Sequence, residues 1–206
     1  TMQKIEGSEL LAHVRPDGVL DEPALRRVLA DLIDGVRAIH RADRLHRDLK
    51  PSNVLVAGGR AVILDFGLAR AAGVATAEIA GTPEYMAPEA FAGRPSVASD
   101  WYALGVVLFE ALTGIRPTRA ARDPQVVAVV PADLGRLARD LLDAEPAVRL
   151  AAIAAFAGES HDLAVDDERQ LPFVGRQPEL EALAQAYRDV RDQRRDDGAE
   201  GAAHDD

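Results

Sequence analysis

The stretch of this sequence most able to do chemistry is His46-Arg47-Asp48-Leu49-Lys50-Pro51-Ser52-Asn53. It combines a carboxylate, an ammonium group and an amide within a few positions, and a second carboxylate follows in Asp65-Phe66-Gly67. Carboxylate and amide oxygens are the hard ligands that Mg²⁺ prefers, whereas lysine offers a compact positive charge. Together these groups could bind a divalent cation and neutralise negative charge that develops during a reaction.

Two short apolar runs connect the two polar motifs. They are Val54-Leu55-Val56 and Ala61-Val62-Ile63-Leu64, and they lie on either side of Gly58-Gly59, a pair typical of a tight hairpin turn. The spacing therefore predicts a loop, a small β-hairpin and a second acidic loop that faces the first.

Helices must position these loops, and the clearest helix ends just before them. Asp21 is predicted to cap its start, Pro23 lies in its first turn, and apolar residues recur at helical spacing as far as Ile39. His40, at the end of this helix, is expected to pack or to cap it and to carry no chemistry. Four further helices are predicted, at 8–14, 99–114, 131–142 and 151–156.

Three motifs in order carry a resemblance to a known family. Residues 46–53 match the H-R-D-L-x-x-x-N catalytic-loop pattern of protein kinases at every fixed position. Asp65-Phe66-Gly67 and Ala87-Pro88-Glu89 follow in the expected order. The chain therefore resembles the C-terminal lobe of a bacterial, eukaryotic-like serine/threonine protein kinase. The resemblance implies a mostly helical α+β fold, in which a small β-hairpin carries the catalytic and metal-binding loops.

The resemblance implies a chemical role for four side chains. Phosphoryl transfer needs positioning and charge neutralisation more than covalent chemistry. Asp48 would orient the substrate hydroxyl and accept its proton, and Lys50 would stabilise charge on the transferred phosphoryl group. Asn53 and Asp65 would bind the Mg²⁺ that bridges the phosphates of ATP. The alternative is that Asp48 and Asp65 are only turn-capping aspartates.

The stretch between Asp65 and Glu89 corresponds to the activation segment of the family. In the family, the position of Thr82 contacts the catalytic aspartate and lysine and favours substrates with a serine or threonine hydroxyl. Arg47 is the residue with which kinases bind a phosphate on this segment, and Thr76 is the candidate for that phosphate. Thr76 could instead be an unmodified loop threonine.

Three residues are implied to be structural. The family pairs the glutamate of Ala-Pro-Glu, here Glu89, with a distant arginine. Arg149 fits the motif of that arginine, although Leu150 replaces the usual proline after it. Asp100 corresponds to an acid that hydrogen-bonds the backbone of the catalytic loop. A plain helix N-cap is the alternative for Asp100, and both roles can hold together.

The first residues resemble the last strand of the N-terminal lobe and the hinge. Met2 would be the gatekeeper, the backbone of Gln3 and Ile5 would bind the adenine edge, and Leu55 would form the floor under the ring. Surface residues of a short strand are an equal alternative. No glycine-rich loop, strand lysine or helix glutamate precedes them, so the N-lobe half of the nucleotide site is expected to be absent. An N-lobe or a partner is then expected to cover an exposed upper face.

Composition excludes several classes of protein. The 206 residues are 48% hydrophobic and 28% charged, as in globular proteins, and the absence of cysteine excludes disulfides and thiolate metal sites. The formal net charge is −10, but residues 1–157 carry 20 acidic and 18 basic side chains, so no basic face favours nucleic acid. No signal peptide or membrane-spanning run is apparent, which indicates a cytoplasmic protein with no membrane partner.

Four regions are predicted along the chain. Residues 1–157 form the kinase C-terminal lobe, 158–170 an acidic linker, 171–193 a short helical remnant, and 194–206 a disordered tail. The third region opens with Leu171-Pro172-Phe173-Val174-Gly175-Arg176, which resembles the start of an AAA-type ATPase module. No phosphate-binding G-x-x-x-x-G-K-[ST] motif follows it.

Two functions from different classes remain open. In the first, the chain is a serine/threonine protein kinase that transfers the γ-phosphate of ATP to a protein hydroxyl. In the second, it is a catalytically inactive kinase-like scaffold or regulatory binding module. The catalytic residues favour the first, and the missing upper-lobe motifs favour the second. We expect the family to be kinase and the isolated chain to have little or no activity.

Overall fold

The computed structural model describes residues 7–64, 81–116 and 130–156, and the backbone alone of 70–71 and 157–161. Within these ranges the chain is mostly helical and has two small antiparallel sheets. Short 3₁₀ turns occur at Pro16–Gly18, Pro51–Asn53 and Pro83–Tyr85. The helices and strands are β1 (Ser8–Glu9), α1 (Leu10–Val14), α2 (Glu22–Arg41), β2 (Arg44–Leu45), β3 (Val54–Ala57), β4 (Arg60–Ile63), β5 (Arg70–Ala71), α3 (Pro88–Phe91), α4 (Val97–Thr113), α5 (Ala132–Leu141) and α6 (Pro146–His161).

The predicted β-hairpin is confirmed. Strands β3 and β4 pair antiparallel, with Val54 opposite Ile63. Gly58 and Gly59 make the turn with φ values of 58° and 77°, a left-handed conformation that favours glycine. Strand β1 adds to the other edge of β3, and β2 pairs separately with β5.

Helix α2 begins as the sequence predicts and buries one face. The Asp21 side chain accepts a hydrogen bond from the Ala24 N–H at 2.9 Å, and Pro23 lies in the first turn. The buried face carries the apolar residues at helical spacing from Leu25 to Ile39. Since the helix ends at Arg41, it leads the chain directly to β2 and the catalytic-loop motif.

Helix α4 is the centre of the core. All residues from Ala98 to Leu112 are buried, and the helix is contacted by α2, α5, α6 and the Pro83–Tyr85 turn. A helix that is apolar on every side needs such surroundings. As predicted, the helix is closed by Gly114, which has a left-handed φ of 72°.

Close approach of α5 to α4 depends on a glycine. A Cβ atom added at Gly105 would lie 2.7 Å from the Cβ and 3.1 Å from the carbonyl carbon of Leu141. Because real Cβ atoms do not approach so closely, only glycine allows the two helices to pack at this distance. The predicted helix at 131–142 is thus confirmed as α5, and it lies directly against the core.

The N-terminal helix prediction is wrong at its start. Ser8 and Glu9 form strand β1, and the helix begins only at Leu10. The two residues pair with Val56 and Leu55 of β3, and this distant partner is not apparent in the local sequence.

Two other helix boundaries also differ from the predictions. Helix α4 begins at Val97 with Ser96 as its N-cap, whose N–H bonds the Ser99 hydroxyl, so the alternative of Asp100 as a plain N-cap is wrong. Helix α6 runs from Pro146 to His161, not over 151–156, so residues 158–161 are helical rather than linker.

The chain divides into two compact units, Thr1–Asp167 and Glu168–Asp206. Residues 162–206 lie outside the described ranges, and so do the predictions for 171–193 and 194–206. No helix in the described part of the chain combines the length and the apolar character that crossing a bilayer requires.

Candidate active site

The structure brings Asp48, Lys50, Asn53 and Thr82 into one hydrogen-bonded cluster. Asp48 Oδ1 accepts hydrogen bonds from the Thr82 N–H at 2.9 Å and from the Thr82 hydroxyl at 2.7 Å. Its other oxygen, Oδ2, lies 2.8 Å from Lys50 Nζ and 3.1 Å from Asn53 Nδ2. Lys50 Nζ also donates to the Thr82 hydroxyl at 2.9 Å. Four donors thus surround one carboxylate.

This environment keeps Asp48 ionised. Burial by itself would raise the pKa of the carboxyl group, but hydrogen bonds from Lys50, Thr82 and Asn53 and the charge of Lys50 outweigh burial. The net result is a pKa below the usual 3.8. At neutral pH the cluster therefore contains a fixed anion beside a fixed cation, with a hydroxyl between them.

Hydrogen bonds from the amide nitrogen of Asn53 to Asp48 orient the Asn53 side chain. Nδ2 donates to the Asp48 carbonyl oxygen at 2.8 Å as well as to its carboxylate, and the Asn53 carbonyl oxygen accepts from the Leu64 N–H at 2.8 Å. Since the nitrogen makes both side-chain bonds, the amide oxygen remains as a hard ligand for a cation. Asp65, the other predicted metal ligand, lies outside the described residues. The ranges that are described contain no cluster of three or more metal-binding side chains.

Asp100, on α4, holds the catalytic loop by its backbone. Its oxygens accept the N–H groups of His46 and Arg47, each at 2.9 Å. Arg47 has a left-handed φ of 70°, which costs on the order of 1–3 kcal/mol in a residue other than glycine. His40 Nε2 donates to Asp100 at 2.8 Å, and its ring packs edge-on against Trp101. The expected Asp100 contact is present, and His40 helps to orient its carboxylate.

His46 connects the catalytic loop to the chain before Asp65. It is fully buried, and its Nδ1 accepts the Asp48 N–H at 3.3 Å. Because Nδ1 is the acceptor, the proton is on Nε2, which donates to the Leu64 carbonyl oxygen at 3.1 Å. The histidine ring therefore links Asp48 to the residue that precedes the second acidic motif.

A glycine allows the segment that carries Thr82 to lie against the catalytic loop. Gly81 has a φ of 120°, and a Cβ atom there would overlap the Arg47 carbonyl oxygen. No other residue fits at this point without a shift of the backbone. The close approach places the Thr82 N–H and hydroxyl within reach of Asp48.

The predicted ion pair between Glu89 and Arg149 is present. Arg149 Nη2 donates to Glu89 Oε1, and the arginine side chain is 0% exposed. Arg149 Nη1 donates to the carbonyl oxygens of Asp143 and Ala144, at 2.6 Å and 3.3 Å. Ser99 donates its hydroxyl to the same Glu89 oxygen at 2.7 Å. The pair therefore ties the start of α3 to α6 and α4.

Several predicted site residues lie outside the described part of the chain. They are Met2, Gln3, Ile5, Asp65 and Thr76. Leu55, the predicted floor of the adenine site, is half-buried on β3 opposite Val62.

One hydrogen bond, three positions along the chain from Thr82, was not predicted from the sequence. The Tyr85 hydroxyl donates to Glu110 Oε2 at 2.6 Å, and both residues are buried. A signal was present, because Glu110 is the one acid in an otherwise apolar stretch from Trp101 to Leu112. A charge at such a position needs a partner.

The comparisons with known proteins agree with this geometry. Residues 1–155 match the family model of the protein kinase domain. Similar relatives include protein kinase 2 of Dictyostelium discoideum, 38% identical over 117 residues, and the serine/threonine-protein kinase PknA of Nostoc sp. PCC 7120, 37% identical over 131 residues. The serine/threonine-protein kinase PkaA of Streptomyces coelicolor is 39% identical over 125 residues.

These alignments cover 55%, 58% and 56% of the chain, and 24%, 23% and 23% of the three relatives. The chain therefore matches about a quarter of the length of each of these curated relatives. Its own family match nevertheless extends from the first residue to the middle of α6. On that match and the cluster around Asp48, the chain belongs to the protein kinase family.

Proposed function

We propose that the chain is the catalytic-loop lobe of a serine/threonine protein kinase, which transfers the γ-phosphate of ATP to a serine or threonine hydroxyl of a protein. The observation that supports this most is the cluster of Asp48, Lys50 and Thr82. A carboxylate of low pKa and an ammonium group there share one hydroxyl. That arrangement suits a site that binds an alcohol next to a developing negative charge.

The side chains take distinct roles in this proposal. Asp48 orients the acceptor hydroxyl and receives its proton, and Lys50 neutralises charge on the transferred group. Thr82 aligns both groups and favours serine or threonine as the acceptor. Asn53, with Asp65, would hold Mg²⁺, which would supply positive charge to the phosphate groups of ATP. Arg47 receives a phosphate on Thr76.

The nucleotide would lie above Leu55. Met2 and the backbone of Gln3 and Ile5 would contact the adenine ring, and an N-lobe or a partner would supply the phosphate-covering loop and its lysine. This proposal rests on the motifs 46–53 and 87–89. We propose in addition that 171–193 is the start of an ATPase module, from its short match alone.

A radiolabelled-phosphate assay tests the proposed activity. The chain would be assayed alone and together with candidate N-lobe partners, with a generic serine-containing protein as substrate. We expect little or no transfer by the chain alone. With a complementing partner we expect transfer that Asp48→Asn lowers by about 10²-fold or more.

The exposed Asp34 of α2 provides a matched control, because Asp34→Asn removes the same charge outside the cluster. Its transfer rate should equal that of the unchanged chain. Two outcomes would favour the inactive scaffold. One is phosphate transfer that Asp48→Asn does not lower, and the other is no transfer with any of the partners.

A further inference from the structure

A methionine lies close to the segment that carries Thr82. The sequence contains no cysteine and two methionines, so thioethers are the sulfur groups that an oxidant can attack. Met2 lies outside the described residues, whereas Met86 directly follows the turn Pro83–Tyr85, and Thr82 directly precedes that turn. Met86 is half-buried. An oxidant in solution therefore meets this residue next to the candidate active site.

The Met86 methyl group fills a space that glycine leaves open. Its carbon, Cε, lies 3.1 Å from the position that a Cβ atom at Gly81 would take, and the Arg47 carbonyl oxygen lies against the same position. The methyl group, the glycine and the catalytic loop thus meet at one point. Thr82, the residue after this glycine, is held to Asp48 by its N–H and its hydroxyl. A larger side chain at Met86 would therefore act on the place where Thr82 reaches Asp48.

The surroundings of Met86 suit a thioether better than a more polar group. With Arg47 and the start of α4, it lines a small cavity whose other walls are mostly apolar, formed by Leu45, Tyr85, Ala87, Ala90, Pro95 and Ala103. Two polar side chains of the cavity are already engaged, because Ser99 donates to Glu89 and Asp100 accepts backbone N–H groups. An oxygen atom on the sulfur would be a strong acceptor among these groups and would be costly to bury there.

The backbone around Met86 leaves little room for an outward movement. Tyr85 and Ala87, on its two sides, are both buried in the core. Additional volume on the thioether is therefore not relieved by a swing of its own backbone. The displacement falls instead on Gly81 and on the adjacent Thr82, which hydrogen bonds alone hold to the cluster.

We propose that Met86 is a reversible oxidation site, at which hydrogen peroxide converts the thioether to a sulfoxide and thereby loosens the contact of Thr82 with Asp48. The sulfur lone pair attacks one peroxide oxygen, the O–O bond breaks and an S–O bond forms. The second oxygen leaves as hydroxide and takes up the proton of the first, which gives water. The sulfur is oxidised by two electrons, the peroxide is reduced, and methionine sulfoxide reductases reverse the change. Only the consequence for phosphate transfer rests on the proposed kinase function.

Peptide mass spectrometry of the folded full chain tests the reaction. In Met2→Leu, hydrogen peroxide should add one oxygen atom to Met86, and a methionine sulfoxide reductase should remove it. The matched control is the double variant with Met86→Leu, which keeps an apolar side chain of similar volume. A Met86 that remains unmodified in the folded chain, while free methionine in the same solution is oxidised, would overturn the proposal.

The titration of Asp48 reports the consequence without any need for turnover. Thr82 helps to hold the pKa of this carboxyl below its usual value. Peroxide should therefore raise the pKa of Asp48 in Met2→Leu by about one pH unit for each charge-assisted hydrogen bond lost, and leave it unchanged in the double variant. NMR of isotope-labelled aspartate carboxyl groups measures this, and Asp48→Asn assigns the signal.

Circular dichroism would verify that the oxidised chain is folded. An unchanged Asp48 titration after oxidation, an equal rise in the double variant, or global unfolding would each overturn the proposal, because it confines the change to the contact of Thr82 with Asp48. A chain that shows the expected rise but transfers no phosphate with any partner would contradict only the kinase function.

Discussion

Asp48 keeps its charge in a half-enclosed site because its neighbours donate to it. Its pKa lies below the usual 3.8, so folding favours the ionised form. The stabilisation is therefore fully present above pH 3.8 and is lost as the pH falls through the lower pKa of the folded state. Asn at this position would keep the shape of the side chain and lose the attraction to Lys50.

We accordingly expect the chain to resist urea better than Asp48→Asn at neutral pH. The difference in free energy of unfolding should stay constant down to about pH 5 and shrink below about pH 4. Urea denaturation across this pH range measures it, with Asp34→Asn as a control that should show no such trend. A difference that grows on acidification would show that Asp48 is not stabilised as an anion.

Arg149 illustrates the cost of leaving a buried charge without its partner. Glu89→Gln should destabilise the fold by about 3–5 kcal/mol, because the fully buried guanidinium would keep its charge and lose the carboxylate. Chemical denaturation measures the loss. Combining Glu89→Gln with Arg149→Met should cost much less than the sum of the two single changes. Additive costs would mean that the two side chains do not depend on each other.

At the scale of elements, two helical glycines make a matched comparison. In α4, Gly105→Ala would press a methyl group against Leu141, including its backbone, and should cost about 1–3 kcal/mol. In α2, Gly35→Ala would meet only the Ile63 side chain, whose terminal methyl at 2.9 Å can rotate away and whose Cγ1 lies at 3.6 Å, an ordinary contact distance. Gly35→Ala should therefore be neutral or stabilise by up to about 1 kcal/mol.

Thermal unfolding of the two glycine variants provides the measurement. Both changes add one methyl group to a helix. The difference between their effects on stability therefore measures how tightly the neighbouring helix or strand packs at each site. Equal effects would mean that α5 can move away from α4 without loss of packing.

The helix starts and turns that were predicted correctly depend on residues close together in the sequence. Asp21 and Pro23 mark the start of α2, and Gly58-Gly59 marks the hairpin turn, because caps and turns depend on local conformation. Strand β1 was missed because its partner lies nearly fifty positions away in β3. The true start of α6 was missed as well, although Pro146 is a good first residue for a helix.

In the candidate site, too, the local motifs were predicted and the contacts between distant elements were not. The motif spacing predicted Asp48, Lys50, Asn53 and Thr82 as neighbours, through resemblance to the family. The contacts of His40 with Asp100 and Trp101 depend on how α2 packs against α4, and no local pattern carries that information.

For the whole molecule, the core lies well inside the family match. The buried apolar cluster extends from Leu10 to Ile153 and includes residues of α1, α2, α4, α5 and α6. A chain that ends after His161 should therefore unfold cooperatively, with a free energy of unfolding within about 0.5 kcal/mol of that of the full chain. Circular dichroism during urea titration measures this. A lower midpoint would mean that residues beyond His161 contribute to the stability of this core.

The contacts of Asp100 connect the shape of the catalytic loop to the packing of the core. The two amides that shape the catalytic loop are held by an acid in the interior, and His40 of another helix steadies that acid. Because these contacts come from two helices, we expect the loop to hold its strained conformation only while α2 and α4 are packed together. Shaping of the loop around Asp48 should therefore accompany formation of the core.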